Sequence, residues 1–473
     1  MSQGDGVGRD PVRAYAERAR ESWTKALVEW LRIPSVSALP EHAADCAAAA
    51  AWAAGRLDAM GVPAQVVPAP NAGGLPLVVA RRDEDPALAT VLLYGHYDVQ
   101  PADPLDQWTS PPFAPRIVGD DVFARGADDN KGQCWAVLCG VAALLGAEGR
   151  LPVNLRVVLE GEEECGGHAL ADLVAADPDR LRADAAWAAD GSLFTPGLPA
   201  IYTATRGIVY AELEACGGET DLHSGMYGGA APNPLLALCH VLAGCKPWNG
   251  AVTLPGFYDH VQRPAADELA AWAALPFDEA AYQRDEVRAP ALPGEHGYTL
   301  LERLWARPTF EVHGIVGGFV GAGAKTVIPS RAVAKISLRL VPDQDPMEVV
   351  RALEERVNFL RPEGVTLTLR ALEAEPPVRL PTDHPVLDAG RRALSAGFGR
   401  EPALVRMGGS LPALAVIAKV LGIPTVMTGF GLPDDRLHAP DEKFHLPHLV
   451  HGAVATAAFL REVGRLGARV RLG

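Results

Sequence analysis

At 473 residues the chain exceeds what one hydrophobic core holds, so two domains are expected. Hydrophobic residues make up 48% and charged residues 21%, the balance of a soluble globular protein. A formal net charge of −15 argues against a nucleic-acid partner, because phosphate backbones need concentrated Lys and Arg, and no run is apolar enough to span a bilayer. The opening MSQGDGVGRDPVRAYAERARESW has no apolar core of the signal-peptide type. Seven scattered Cys with no CxxC pair predict reduced thiols in a cytoplasmic protein, not a disulfide framework or a Cys-type zinc site.

Apolar residues at helical spacing from Val12 to Trp30 predict a helix over 12–31, closed by Pro34. An Ala-rich amphipathic helix follows over 43–60 and stops at Gly61. Strand patterns cover 64–67, 77–81 and 90–94. A buried helix over 133–145, a strand over 153–159, a helix over 169–176 and a short strand over 185–189 come next. Strands alternating with helices predict a mixed sheet covered on both faces. From 207 the pattern changes: strand 208–215, helix 234–242, strands 309–315 and 332–341, helix 346–359, strand 365–372. That order is β-α-β-β-α-β, the split βαβ or ferredoxin-like unit. The Pro-, Ala- and Trp-rich stretch 246–305 shows no readable fold. After Pro376 the α/β pattern returns, with helices over 385–396, up to Leu421 and over 447–464, and a strand over 425–428. The expected fold class is therefore α/β. A discontinuous mixed-sheet domain occupies 1–206 and 377–473, and a ferredoxin-like α+β domain is inserted at 207–376.

Five residues share one structural position, just after a strand or in the loop beyond it. His96 ends TVLLYGHYDVQP, Asp129 lies in FARGADDNKG, Glu164 in EGEEECGG, Asp190 follows the strand at 185–189, and His438 lies in LHAPDEKF. Open α/β sheets build ligand sites at the carboxyl ends of their strands. Two imidazoles and three carboxylates suit a pair of divalent ions of zinc, manganese or cobalt type. Two such ions, bridged by a carboxylate, polarise a carbonyl and generate hydroxide near neutral pH. Any one of these residues alone reads as a structural histidine or a solvated acidic loop. Their coincidence at the strand ends of one domain carries the reading.

The motifs GHYDVQP, RGADDNKG, EGEEECGG, DLHSGMYGG, GAGAKTVIPSRAVAKISLRLVPD, GGSLP and LHAPDEKF, spread over residues 95–443, resemble the M20 family of di-metal peptidases, in its cytosolic non-specific and carnosine dipeptidase branch. The resemblance implies hydrolysis of dipeptides or very short peptides with a free C-terminal carboxylate. It implies that His96 and Asp190 bind one ion, that Glu164 and His438 bind the other, and that Asp129 bridges; the RGxxDxKG pattern selects Asp129 over Asp128. Asp98 would orient the His96 imidazole, and Glu163 would be the general base that passes a proton from water to the leaving amine. The Asp129–Asn130 peptide would be cis. The inserted domain would be a lid and dimerisation domain. Its His223 would reach the partner's site in a homodimer and stabilise the oxyanion. Thr326 and Arg339 match positions that hold the substrate's C-terminal carboxylate, and Gly408, Gly409 and Ser410 match a pocket-lining loop.

One departure stands out. Relatives carry an acidic residue before the two glycines, in a REGGS-like pattern, where this chain has Arg406–Met407–Gly408–Gly409–Ser410. Without that carboxylate to hold a free amino group, deacylation of N-acyl or N-carbamoyl amino acids is the alternative activity. An inactive metal-binding scaffold is the lesser one, disfavoured because all five ligands and the base are intact. His445 and His448 read as core or surface, Lys131 as a locally paired structural lysine, and Cys165 as a bystander to Glu164. Without a GxGxxG or P-loop pattern, nucleotide binding is not expected.

Overall fold

The computed structural model describes residues 10–71 and 73–471, and the chain divides into two compact units. The first comprises the chain up to Thr203, Leu380–Val405 and the stretch from Ala413; the second comprises Ala204–Arg379 and Arg406–Pro412. The first nine residues, part of the stretch read as lacking a signal-peptide core, lie outside the described residues.

The first unit is built on an eight-stranded mixed sheet. Its strands run in the order Ala64–Val67, Leu77–Arg82, Asn154–Glu160, Thr90–His96, Ala185–Ala189, Thr425–Thr428, Ala200–Tyr202, Ala403–Val405. The four central strands, from Asn154–Glu160 to Thr425–Thr428, are mutually parallel. Their sequences, NLRVVLE, TVLLYGH, AAWAA and TVMT, are buried almost throughout. Such continuous burial is what a strand covered on both faces requires. Because they run the same way, all four deliver their carboxyl ends to one edge. The register brings His96 level with Glu160, and Ala189 level with Thr428.

Helices Pro11–Leu31, Gln133–Glu148, Pro385–Phe398 and Pro447–Leu466 supply much of the covering core, with Trp30, Trp135 and Trp187 buried in it. Asp10 caps the first helix by accepting from the Val12 N–H, with Pro11 in the first turn. Helix Gln133–Glu148 stops at Gly149, whose φ of 76° suits glycine. The helix and strand patterns of the sequence correspond to observed elements with ends shifted by up to a few residues. The short strands Ala200–Tyr202 and Ala403–Val405 were not readable, since three residues show no period. Neither was the small sheet of Arg116–Val118, Asp121–Phe123 and Lys443–His445.

The second unit holds a four-stranded antiparallel sheet in the order Thr309–Gly317, Arg331–Leu340, Gly207–Cys216, Thr366–Glu375. With helices Pro234–Cys245 and Pro346–Leu360 this is the strand order of a split βαβ unit. Alternation along Gly207–Cys216 buries Val209, Ala211, Leu213 and Ala215 with both helices. The stretch 246–305 contains the short helices Ala266–Ala273 and Leu300–Trp305, with helical turns at Glu279–Ala281 and Tyr282–Val287 between them; Leu300–Trp305 is opened by a capping box between Thr299 and Glu302. Among the described residues no helix is long and apolar enough to cross a membrane. The seven cysteines are unpaired.

Candidate metal centre

All five expected ligands belong to the first unit, at the carboxyl edge of its parallel strands. His96 is the last residue of its strand, Asp190 follows Ala189, and Glu164 lies four residues beyond Glu160. Asp129 sits where the wide turn Ala127–Gly132 breaks from helical geometry (φ −103°, ψ 94°) before helix Gln133–Glu148. The Asp129–Asn130 peptide is cis. His438 lies in the loop after Thr425–Thr428, with a positive φ of 57°.

The five residues form two clusters that share Asp129: His96, Asp129 and Asp190 in one, and Asp129, Glu164 and His438 in the other. The Asp129 carboxylate turns one oxygen to each histidine. Its Oδ1 lies 3.1 Å from His96 Nε2, and its Oδ2 lies 2.9 Å from His438 Nε2. Asp190 Oδ1 is 3.6 Å from His96 Nε2, and Glu164 Oε2 is 3.2 Å from His438 Nε2. On the far side of the His96 ring, Nδ1 lies 3.1 Å from the Asp98 carbonyl and 3.3 Å from its carboxylate. A proton on Nδ1 satisfies Asp98 and leaves the Nε2 lone pair facing the cluster.

The residues fit a pair of divalent cations. Three carboxylates converge with two imidazoles, and Glu164 Oε1 is buried with no hydrogen-bond partner. Buried charge of one sign demands compensation. Without cations the imidazoles must supply it. His438 is pushed up to about 10 by its hydrogen bonds to Asp129 and Glu164. Burial would lower His96, but the carboxylates of Asp190, Asp129 and Asp98 raise it well above its ordinary value. Burial opposes ionisation of Asp129, yet the two histidines hold its pKa below the usual carboxylate range. Burial raises Glu164 to about 7, with Asp129 adding to it. Glu163, beside the clusters, is raised well above the usual range, first by burial; His96 opposes this, and Asp190, Glu164 and Asp129 add to it. A carboxyl so placed is suited to carry a proton.

Several further residues hold these candidate ligands in place. Buried Glu442, four residues after His438, accepts from Arg125 Nη1 (2.7 Å) and from the backbone N–H groups of Gly126, Asp128 and Asp129 (2.8, 2.9 and 3.0 Å). It thereby ties the His438 loop to the Asp129 turn. Gln100 donates to Glu164, and Asn130 donates to Asp190. The Glu164 N–H donates to Asp98 Oδ2 at 3.0 Å, so Asp98 braces both histidine and glutamate ligands. Glu442, Gln100 and Asn130 all lie inside the quoted motifs, which was the available signal. Asp128 is buried, and neither of its oxygens has a hydrogen-bond partner. Its carboxylate lies against Gly431, where a Cβ would fall 2.2 Å from Oδ2. Lys131 pairs at long range and not locally, donating to the carbonyls of Trp30 (3.3 Å) and Ile33 (2.7 Å).

The other expected site residues belong to the second unit. Arg339 Nη1 donates to Ser410 Oγ at 2.8 Å. Gly409 is fixed by its carbonyl, which accepts from the Arg206 N–H at 2.9 Å. His223 and Thr326 are exposed on neighbouring segments, joined where the Ser224 N–H donates to the Thr326 carbonyl at 3.0 Å. His223 Nδ1 accepts from the Gly225 N–H at 3.0 Å, so in the neutral ring the proton sits on Nε2, free to donate. Arg406 makes a two-pronged ion pair with Glu268 (2.8 and 2.6 Å) over the Trp272 ring, tying the GGS loop to helix Ala266–Ala273.

The family model for Peptidase family M20/M25/M40 matches residues 92–462, and the chain belongs to this family. It is 31% identical to a Beta-Ala-His dipeptidase of Homo sapiens over 97% of this chain and 93% of that protein. It is 30% identical to the Cys-Gly metallodipeptidase dug1 of Schizosaccharomyces pombe over 82% of this chain and 83% of that protein. Among solved structures it is similar to human carnosine dipeptidase 1, with a TM-score of 0.84 at 30% identity over 96% of this chain and 98% of that one.

Proposed function

We propose that this protein is a cytoplasmic, homodimeric, two-metal dipeptidase that hydrolyses dipeptides or very short peptides with a free C-terminal carboxylate. The observation that carries the reading is the Asp129 carboxylate, with one oxygen against each histidine of two three-residue clusters. The similarity to a Beta-Ala-His dipeptidase and a Cys-Gly metallodipeptidase supports the substrate class.

His96 and Asp190 would hold one ion and Glu164 and His438 the other, with Asp129 shared; zinc or manganese, or cobalt, suits this donor set. Bound there, the ions would polarise the scissile carbonyl and acidify water. Glu163 takes a proton from the attacking water and returns it to the departing amine. Asp98 holds the His96 ring in the orientation that keeps Nε2 on the cluster. His223, with Nδ1 occupied by Gly225, offers its Nε2–H to the developing oxyanion in the partner's site. Arg339 receives the substrate carboxylate, with Ser410 holding the guanidinium and Thr326 and Gly409 lining the pocket.

The second unit serves as the lid and dimerisation domain in this reading. Strand Thr309–Gly317 is a sheet edge, and it exposes Val312, Ile315 and Val316. A long apolar edge left open is a template for pairing with a second chain.

The test compares a dipeptide with the N-acetyl derivative of its own C-terminal residue, both at limiting concentration. Faster cleavage of the dipeptide is expected. Turnover of the N-acetyl amino acid alone would replace the proposal with deacylation, the activity that Met407 in place of a carboxylate would suit.

A further inference from the structure

We infer that Gln100 and Asn130 are positioning residues, each committed to a different one of the two ions. The inference rests on the two-metal reading above.

The two side chains make the same arrangement on opposite sides of Asp129. Gln100 Nε2 donates to Glu164 Oε2 at 2.9 Å and to the Glu164 backbone carbonyl at 3.0 Å. Asn130 Nδ2 donates to Asp190 Oδ1 at 2.7 Å and to the Ala189 backbone carbonyl at 2.8 Å. In each case one NH2 group spends both its protons on a ligand carboxylate and on a carbonyl at or next to that ligand. Only the nitrogen of either amide can occupy these positions, because both partners are acceptors. The amide locks the carboxylate against its own backbone and fixes its rotamer before any cation arrives.

The consequence differs for the two ions. Glu164 belongs to the His438 cluster and Asp190 to the His96 cluster. The Gln100 amide hydrogen-bonds only to the first, and the side-chain amide of Asn130 only to the second. On Glu164 the tether occupies Oε2 and leaves Oε1 buried without a partner. Ordering a ligand in advance removes an entropic cost of binding, and loss of such outer partners typically weakens a metal site about 10- to 100-fold. Gln100 lies in GHYDVQP and Asn130 in RGADDNKG, so each motif carries a ligand and the tether of another ligand. The two ions should therefore be separable by substitutions that leave all five ligands in place.

The experiment uses full-length, metal-stripped protein titrated with cobalt(II), read by visible absorption and by calorimetry. Wild type, Gln100→Ala, Asn130→Ala and Asn130→Asp are compared, with His438→Ala and Asp190→Ala as references for loss of one ligand. Wild type should bind two ions. Gln100→Ala should weaken one by about 10- to 100-fold, leaving a tight site whose spectrum matches that of His438→Ala. Asn130→Ala should weaken the other and leave the site seen in Asp190→Ala. Asn130→Asp, which keeps the shape but not the donor, should do the same, and its stripped form should melt earlier than wild type because a buried carboxylate then faces two acceptors. Wild-type affinity at both sites in Gln100→Ala or Asn130→Asp overturns the inference, and so does equal weakening of both ions in either. Fewer than two ions on wild type overturns the two-metal reading itself, and the inference with it.

Discussion

At the scale of single residues, the proposed site separates groups that would hold cations from groups that would move protons. Glu163 borders the clusters but belongs to neither. Glu163→Gln should keep metal content unchanged while turnover falls by about 10²- to 10⁴-fold, read by metal analysis beside initial rates. His223 belongs to the second unit and to neither cluster. His223→Ala should likewise keep its ions and lose roughly 10²- to 10³-fold in turnover, the value of one oxyanion donor. A third residue bears on stability. His448 is buried beside the Phe430 carbonyl, to which its Nδ1 donates at 2.5 Å, and burial pushes its pKa down from 6.5 to about 3. Between those values the unfolded chain binds a proton that the folded chain refuses, so stability falls as pH drops through this window. His448→Asn keeps a donor near the carbonyl and removes the titration. Urea unfolding at pH 7 and pH 5 should show a smaller loss of stability for the variant than for wild type. The five candidate ligands were legible as strand-end residues because residue type and position suffice to suggest them. Glu442, Gln100 and Asn130 were not, because their partners are fixed by tertiary structure: Glu442 meets the Asp129 turn more than 300 residues away in sequence.

At the scale of elements, what matters is how turns and edges are held. The Ala127–Gly132 turn and the Gly126 that precedes it present three N–H groups that need an acceptor, those of Gly126, Asp128 and Asp129, and the Glu442 carboxylate meets them while also accepting from Arg125. Glu442→Gln places an amide donor against these donors. Each buried group left unpaired costs about 1–3 kcal/mol, so the variant should melt earlier and bind both ions more weakly, unlike the selective losses of the tether variants. The open edge Thr309–Gly317 makes a separate prediction. Val316, 68% exposed, can be exchanged for Lys without disturbing a core. Val316→Lys should shift a dimer towards monomer in light scattering and lower turnover while metal content stays unchanged, since His223 would lose its partner's site. Longer elements were legible because their hydrophobic periods run for several turns or pleats. Stretch 246–305 was not, because its helices are short and its stability comes from particular pairs such as Arg406 with Glu268.

At the scale of the whole molecule, the chain uses the same logic twice. A parallel sheet gathers the candidate ligands, Asp129 and His438 among them 309 residues apart, and an inserted antiparallel unit carries Arg339, Ser410 and His223. In the sequence, the alternation of strand and helix stops near 207 and resumes after 376. It did not show that the loop Arg406–Pro412 clusters with the inserted unit, since that depends on contacts such as Arg339 with Ser410 and Arg406 with Glu268. In the proposed function, two cations that share Asp129 make this chain a dipeptidase. Its most direct test is to strip the protein with a chelator, count the ions restored by zinc, manganese or cobalt, and follow release of free amino acids from a dipeptide panel at each stage of loading. The stripped protein should cleave no dipeptide, two ions per chain should bind on reloading, and activity should return with them. Undiminished cleavage after complete stripping would contradict the proposed function, as would two tightly bound ions with no cleavage of any dipeptide.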